Sequence, residues 1–213
     1  MQVNKNAVLS ILEKVKPAKL VAATKYVGID EINELEKLGV TIFGENRVQS
    51  LLEKYEKYHG NGSFHMIGTL QPNKVKYIID KVSLIHSVNA YSLIKEIEKQ
   101  AKKHDLIMPV LLQVNIAKEA TKHGFMEEEL YDVLCFMKNC PRVQVHGLMM
   151  MAPNKDVEQI QGYFKQTADL LTTLQRKFPQ YPLTELSMGM SNDYEAAIEN
   201  GSTMVRIGSA LFK

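Results

Sequence analysis

The 213-residue sequence has no excess of charge of either sign: 26 Lys and Arg stand against 24 Asp and Glu, a formal net charge of +2. A balance this even supplies no basic field to hold nucleic acid and no acidic surplus to keep the chain unfolded. Cysteine is scarce. The two present, Cys135 and Cys140, sit five positions apart beside Pro141, a spacing that fits neither a CxxC redox pair nor a zinc knuckle, and they read as free thiols of a reducing compartment. No apolar run reaches the roughly 18 residues needed to cross a bilayer. The opening Met1-Gln2-Val3-Asn4-Lys5-Asn6 has no apolar core of a secretory signal. The expectation is a cytoplasmic protein with no nucleic-acid or membrane partner.

What the chain does have is a regular alternation. An amphipathic helix marked by Val8, Leu9, Leu12 and Val15 is stopped by Pro17. The short apolar run Leu20 to Tyr26 follows, then a helix on Ile29, Ile32, Leu35 and Leu38 closed by Gly39, and a β-rich run at Val40 to Phe43. The pattern repeats, with strands at Phe64 to Ile67, Leu84 to Val88, Val110 to Ile116, Val143 to Met149, Thr184 to Ser187 and Met204 to Ile207. Helices lie between them, including 73–80, 91–103, 127–138 and 193–200. About eight strands joined by crossover helices imply a parallel sheet, and that inventory is a (β/α)8 TIM barrel with an additional N-terminal helix. An open doubly wound sheet is the competing arrangement, but no GxGxxG follows the first strand. No interdomain linker is visible, so residues 1–213 are expected to form a single domain.

In a barrel of this kind the chemistry sits at the C-terminal strand ends. The first strand ends at Lys25, which reads either as a lysine snorkelling to water or as a desolvated, nucleophilic amine. Gly44-Glu45-Asn46-Arg47 follows the second strand, where Glu45 and Asn46 can cap the next helix. Ser191 after the seventh strand, with Gly208 and Ser209 after the eighth, reads as a phosphate cradle of hydroxyls and backbone N–H groups. The same residues also suit an N-cap and a turn. His65, His86 and His146 lie within strands and read as core histidines. They lack carboxylates at metal-site spacing, so no metal is expected. Lys14, Lys16, Lys19, Lys54, Lys57, Lys102 and Lys103 read as solvated helix faces and rims, and Met149 to Met151 as core or pocket lining.

A terminal lysine and a phosphate cradle suit a phosphorylated aldehyde held as an imine. The segments Leu20 to Lys25, Phe43 to Gln49, His65 to Lys74, His86 to Val88, Gly147 to Met149, Leu186 to Ser191, Asp193 and Gly201 to Gly208 resemble the YggS family of pyridoxal phosphate homeostasis proteins, across nearly the whole chain. The resemblance implies a fold type III pyridoxal-phosphate (PLP) barrel, similar to the N-terminal domain of alanine racemase. It further implies an internal aldimine at Lys25, phosphate contacts from Ser191, Gly208 and Ser209, and Arg206 facing the pyridine nitrogen. Asn46 is placed near the ring, and Met149 and Met188 in the pocket lining. An arginine there keeps the ring nitrogen unprotonated and weakens the ring as an electron sink. Asn89 and His123 depart from residues frequent in the family.

The sequence ends at Lys213, soon after the eighth strand, so the second acid/base that a racemase draws from a further domain is not expected. The implied role is a PLP carrier in vitamin B6 and amino-acid homeostasis, without robust catalysis, acting as a monomer with PLP-dependent apo-enzymes as recipients. Two alternatives stand beside it: a weak amino-acid racemase using Lys25 and Tyr194, and a phosphate-binding isomerase that never meets PLP.

Overall fold

The computed structural model describes residues 1–119, 122–153 and 155–213. Among them eight parallel strands close into a barrel: β1 (Lys19–Ala23), β2 (Ile42–Glu45), β3 (Ser63–Met66), β4 (Leu84–Val88), β5 (Met108–Val114), β6 (Val143–Met150), β7 (Glu185–Ser187) and β8 (Met204–Ile207). Closure is made by β1 lying parallel to β8, with Lys19 opposite Met204 and Ala22 opposite Ile207. That pairing eliminates the open sheet, because a doubly wound sheet keeps two free edges.

The helices form the outer ring: α1 (Lys5–Lys14), α2 (Ile29–Lys37), α3 (Val48–Tyr55), α4 (Val75–Ile78), α5 (Tyr91–Lys103), α6 (Leu130–Met137), α7 (Val157–Lys177) and α8 (Tyr194–Glu199). In the N-terminal helix α1, Val8 and Ile11 are buried and Leu9 is half exposed. Leu9 therefore does not belong to the inward stripe expected of it; it lies about 100° round the helix from Val8. The helices expected at 73–80 and 127–138 are each split. Pro72–Lys74 and Glu127–Glu129 are 3-10 turns that lead into α4 and α6. Pro72 suits a first turn, where its missing N–H costs nothing.

Two apolar clusters hold the barrel. The larger packs the helices onto the strands through fully buried residues such as Ile32, Leu35, Phe43, Leu51, Ile78 and Phe164. Each such side chain stabilises the fold by ~1.5–3 kcal/mol. The smaller is the barrel interior, where Val21, Ile67, Leu84, Leu111, Met149 and Met204 meet. At the strands' N-terminal ends Lys19 pairs with Glu185 at 2.6 Å, and Glu185 accepts from Thr203 Oγ1 at 2.8 Å. The opposite ends carry the polar loops.

Candidate functional site

β1 stops at Ala23, two residues short of Lys25, because the chain turns at Thr24: Thr24 N–H still donates to Gly44 O, and Val27 N–H donates back to Thr24 O. Lys25 is exposed in that turn, its Nζ 4.8 Å from the Tyr26 ring centroid. The buried-amine geometry is not what the structure has; the amine projects over the barrel mouth from a short turn. The turn itself is anchored from behind. Lys54 Nζ, on α3, donates to Thr24 O at 2.6 Å and to Glu45 Oε1 at 2.5 Å. Thr24 Oγ1 and Ser50 Oγ donate to the two oxygens of the same carboxylate. Glu45 has no exposure and Lys54 only 8%. This corrects two expectations: Lys54 is not a solvated helix-face lysine, and Glu45 is an ion-pair partner rather than a helix cap. Lys54 shares the inward face of α3 with Leu51 three residues earlier, which is the sequence signal that a charge alone obscures.

Across the mouth lie the loops after β7 and β8. Gly189 holds φ +92°, and a Cβ built there would stand 2.6 Å from Ala197 Cβ. Glycine is therefore required on both conformational and steric grounds. Met190 N–H donates to Asp193 Oδ1 at 2.5 Å, which closes the turn. Ser191 Oγ accepts the Gly208 N–H at 3.3 Å, tying this loop to the next. A 3-10 turn over Ser209–Leu211 begins there, and its first N–H groups have no acceptor within the turn.

Arg206, on β8, is 6% exposed. NH1 donates to Ser187 Oγ at 2.6 Å and NH2 to Met150 O at 2.9 Å. Burial pulls its guanidinium down to about 10, against the opposing charge of Asp193. It stays a cation at neutral pH. His86 touches Ser187, and His65 touches His86. Burial pushes His65 down to about 4, with Lys19 adding to the effect, and pushes His86 well below the ordinary range with His65 and Arg206 contributing. His146, by contrast, is half-buried and bonds to Gln144.

Lys25, Ser191, Arg206, Gly208 and Ser209 all line one cavity of about 570 Å³, walled on its apolar side by Ala23, Tyr26, Met151 and Met190. Asn46 stands apart, in a separate depression with Arg47, Thr69 and Lys74. Its Oδ1 is buried without a hydrogen-bond partner among the described residues. Gly68 lies so close to the Asn46 backbone that a Cβ would collide with it. Met149 and Met188 are buried in the interior and outer clusters and are not among the cavity's lining residues. Tyr194 is not in the lining either; its hydroxyl donates to Glu195 at 3.0 Å, and burial with that carboxylate raises its phenol. Among the described residues no cluster of His, Cys, Asp or Glu has metal-site geometry, and no helix is long and apolar enough to cross a membrane.

The donor set fits a phosphorylated aldehyde: a free amine at one end, two hydroxyls with the N–H groups that open a 3-10 turn at the other, and a guanidinium between strands. Comparison with known proteins points the same way. The chain matches the family described as alanine racemase, N-terminal domain, over residues 3–213. It is 43% identical over 197 residues to the pyridoxal phosphate homeostasis protein of Aquifex aeolicus, covering 92% of this chain and 86% of that protein. It is similar in structure to PipY of Synechococcus elongatus PCC7942. The form without PLP aligns with TM-score 0.94 and 31% identity, over 98% of this chain and 99% of that one. The form with PLP bound aligns with TM-score 0.91 and 30% identity over the same shares.

Proposed function

We propose, for a chain that belongs to the alanine racemase N-terminal domain family and within it to the pyridoxal phosphate homeostasis proteins, that it binds PLP covalently and serves vitamin B6 and amino-acid homeostasis without robust turnover. The observation that carries this reading is the single cavity that joins Lys25, Ser191, Arg206, Gly208 and Ser209. When bound, the cofactor supplies an electrophilic aldehyde, an anionic phosphate and a basic ring nitrogen. Lys25 offers the amine that condenses with the aldehyde, one water leaving. Ser191 and Ser209 hydroxyls and the Ser209 N–H take the phosphate, and the Gly208 N–H, which donates to Ser191 Oγ in the ligand-free chain, turns to join them. Arg206 donates toward the ring nitrogen and, being a cation, opposes its protonation. Asn46, Met149 and Met188 lie outside the cavity lining and act from behind it, by packing the strands and the loop after β2.

A carrier is favoured over a racemase because Tyr194, the candidate opposite base, is engaged by Glu195 outside the cavity lining. Residues 1–213 act as one PLP-binding barrel domain, in the cytoplasm and as a monomer, with PLP-dependent apo-enzymes as recipients. The test is a titration of purified protein with PLP. A visible absorbance band that saturates in the wild type and is missing in Lys25→Ala supports the proposal. No band in the wild type contradicts it, and D- and L-alanine exchange lost in Lys25→Ala would move the reading to the racemase.

A further inference from the structure

Four buried polar side chains from four strands form a row across the barrel. Arg206 NH1 donates to Ser187 Oγ at 2.6 Å, Ser187 Oγ meets His86 Nδ1 at 2.9 Å, and His86 Nε2 meets His65 Nδ1 at 3.0 Å. None of the four is more than 6% exposed. β4 and β7 are not neighbours in the barrel, so the contact between His86 and Ser187 spans the interior.

Arg206 gives the row a direction. A guanidinium has only donors, so Ser187 Oγ accepts from it and keeps its own hydrogen to give. His86 Nδ1 is the available acceptor. His86 then carries its hydrogen on Nε2 and donates to His65 Nδ1, and His65 carries its hydrogen on Nε2. Each facing pair of atoms holds one hydrogen. Reversing the row gives Ser187 Oγ two donors and leaves its hydroxyl hydrogen without an acceptor among the described residues, an arrangement that buried groups avoid. Protonating His86 has the same result. The charged groups acting on the two imidazoles, Lys19 from β1 and Arg206 from β8, are both cations and oppose an added proton.

We infer that Ser187, His86 and His65 are positioning residues for Arg206: a one-way hydrogen-bonded row that fixes the guanidinium so that its remaining N–H groups face the cavity as donors to the ring nitrogen of a bound pyridine phosphate. The inference rests on the role proposed above for Arg206. Met150 O, accepting from NH2, is the second anchor.

Nitrogen-15 NMR of the ligand-free protein reads the row without any cofactor. Expected at neutral pH are the Nε2–H tautomer for both His65 and His86 and slowly exchanging Arg206 Nη hydrogens, the latter lost in Ser187→Ala. An Nδ1–H tautomer or an imidazolium at His86, or Arg206 signals unchanged in Ser187→Ala, overturns the row. In the PLP-loaded protein, Ser187→Ala and His86→Asn, with folding checked by circular dichroism, should shift the visible band and its pH profile while PLP stays bonded to Lys25. Ser187→Thr should restore the wild-type spectrum. A band and pH profile unmoved in Ser187→Ala contradict the link to the ring nitrogen. Failure of the wild type to take up PLP defeats the cofactor reading instead, and the NMR result still decides the row.

Discussion

Glu45 stands where water does not reach it, and a carboxylate in that position persists only when paired and hydrogen-bonded. Lys54, Thr24 and Ser50 meet that need, and in doing so they fix the residue before Lys25. Removing one member leaves the other charge buried alone, so Lys54→Met should destabilise the fold by ~3–5 kcal/mol and loosen the Lys25 turn. The double variant Glu45→Gln with Lys54→Met should recover much of that loss; urea midpoints at pH 7 check both. The histidines make a second prediction. His65 is held neutral by burial with its pKa lowered to about 4, whereas in the unfolded chain it titrates at about 6.5. The stability contributed by the neutral form is complete above about 6.5 and is lost as pH falls toward 4, because the unfolded state binds the proton first. His86 shifts in the same direction. Unfolding free energy should therefore fall by about 1.4 kcal/mol per pH unit for each histidine in this window; a flat profile in urea titrations between pH 7 and 5 contradicts it. At this scale the meeting of Lys25, Ser191, Gly208 and Ser209 in one cavity was legible from their positions just past strand ends, whereas Arg206, inside β8, was singled out only by the family resemblance. Lys54 and the His65–His86 pair were not legible, because their contacts form only when α3 packs onto β1 and β2 and when β3 pairs with β4, and no local spacing announces them.

Turns fix the site's precision. Gly189 combines a positive φ with a neighbour that would meet any Cβ, so Gly189→Ala should move the Ser191 loop and weaken PLP retention by about tenfold or more, which corresponds to a ~1.4 kcal/mol loss. Equilibrium dialysis measures it, and unchanged retention would show that the loop tolerates the shift. β4 and β8 have the bounds that their apolar runs imply, since a buried parallel strand is a continuous apolar stretch between turn residues. β1 ends earlier than its run of small residues suggests, because the register with β2 finishes at Ala23 opposite Gly44. That register is a property of the neighbouring strand, not of residues 20–26. The 3-10 turns before α4 and α6 share this character: helical periodicity marks a helix but does not distinguish its first turn.

For the whole molecule, the barrel separates stability from function by its two ends. The Lys19–Glu185 pair and Thr203 lie at the N-terminal ends of the strands, whereas the cavity opens at the C-terminal ends, so Glu185→Gln should leave PLP binding unchanged. A ligand that binds only the folded state stabilises it by RT ln(1 + [L]/Kd), about 2.7 kcal/mol at a hundredfold excess over Kd. PLP should therefore raise the melting temperature of the wild type, and should do so less in a Ser191→Ala, Ser209→Ala variant. The alternation of strands and helices makes the barrel legible in the sequence, while the cavity's membership depends on loops meeting across the mouth. The central claim is that Lys25 is the amine that holds PLP. Borohydride reduction of the PLP-loaded protein followed by peptide mapping tests it most directly. The account predicts a pyridoxyl group on the peptide containing Lys25; a pyridoxyl group confined to another cavity lysine, such as Lys122 or Lys155, or its absence from every peptide, would contradict it.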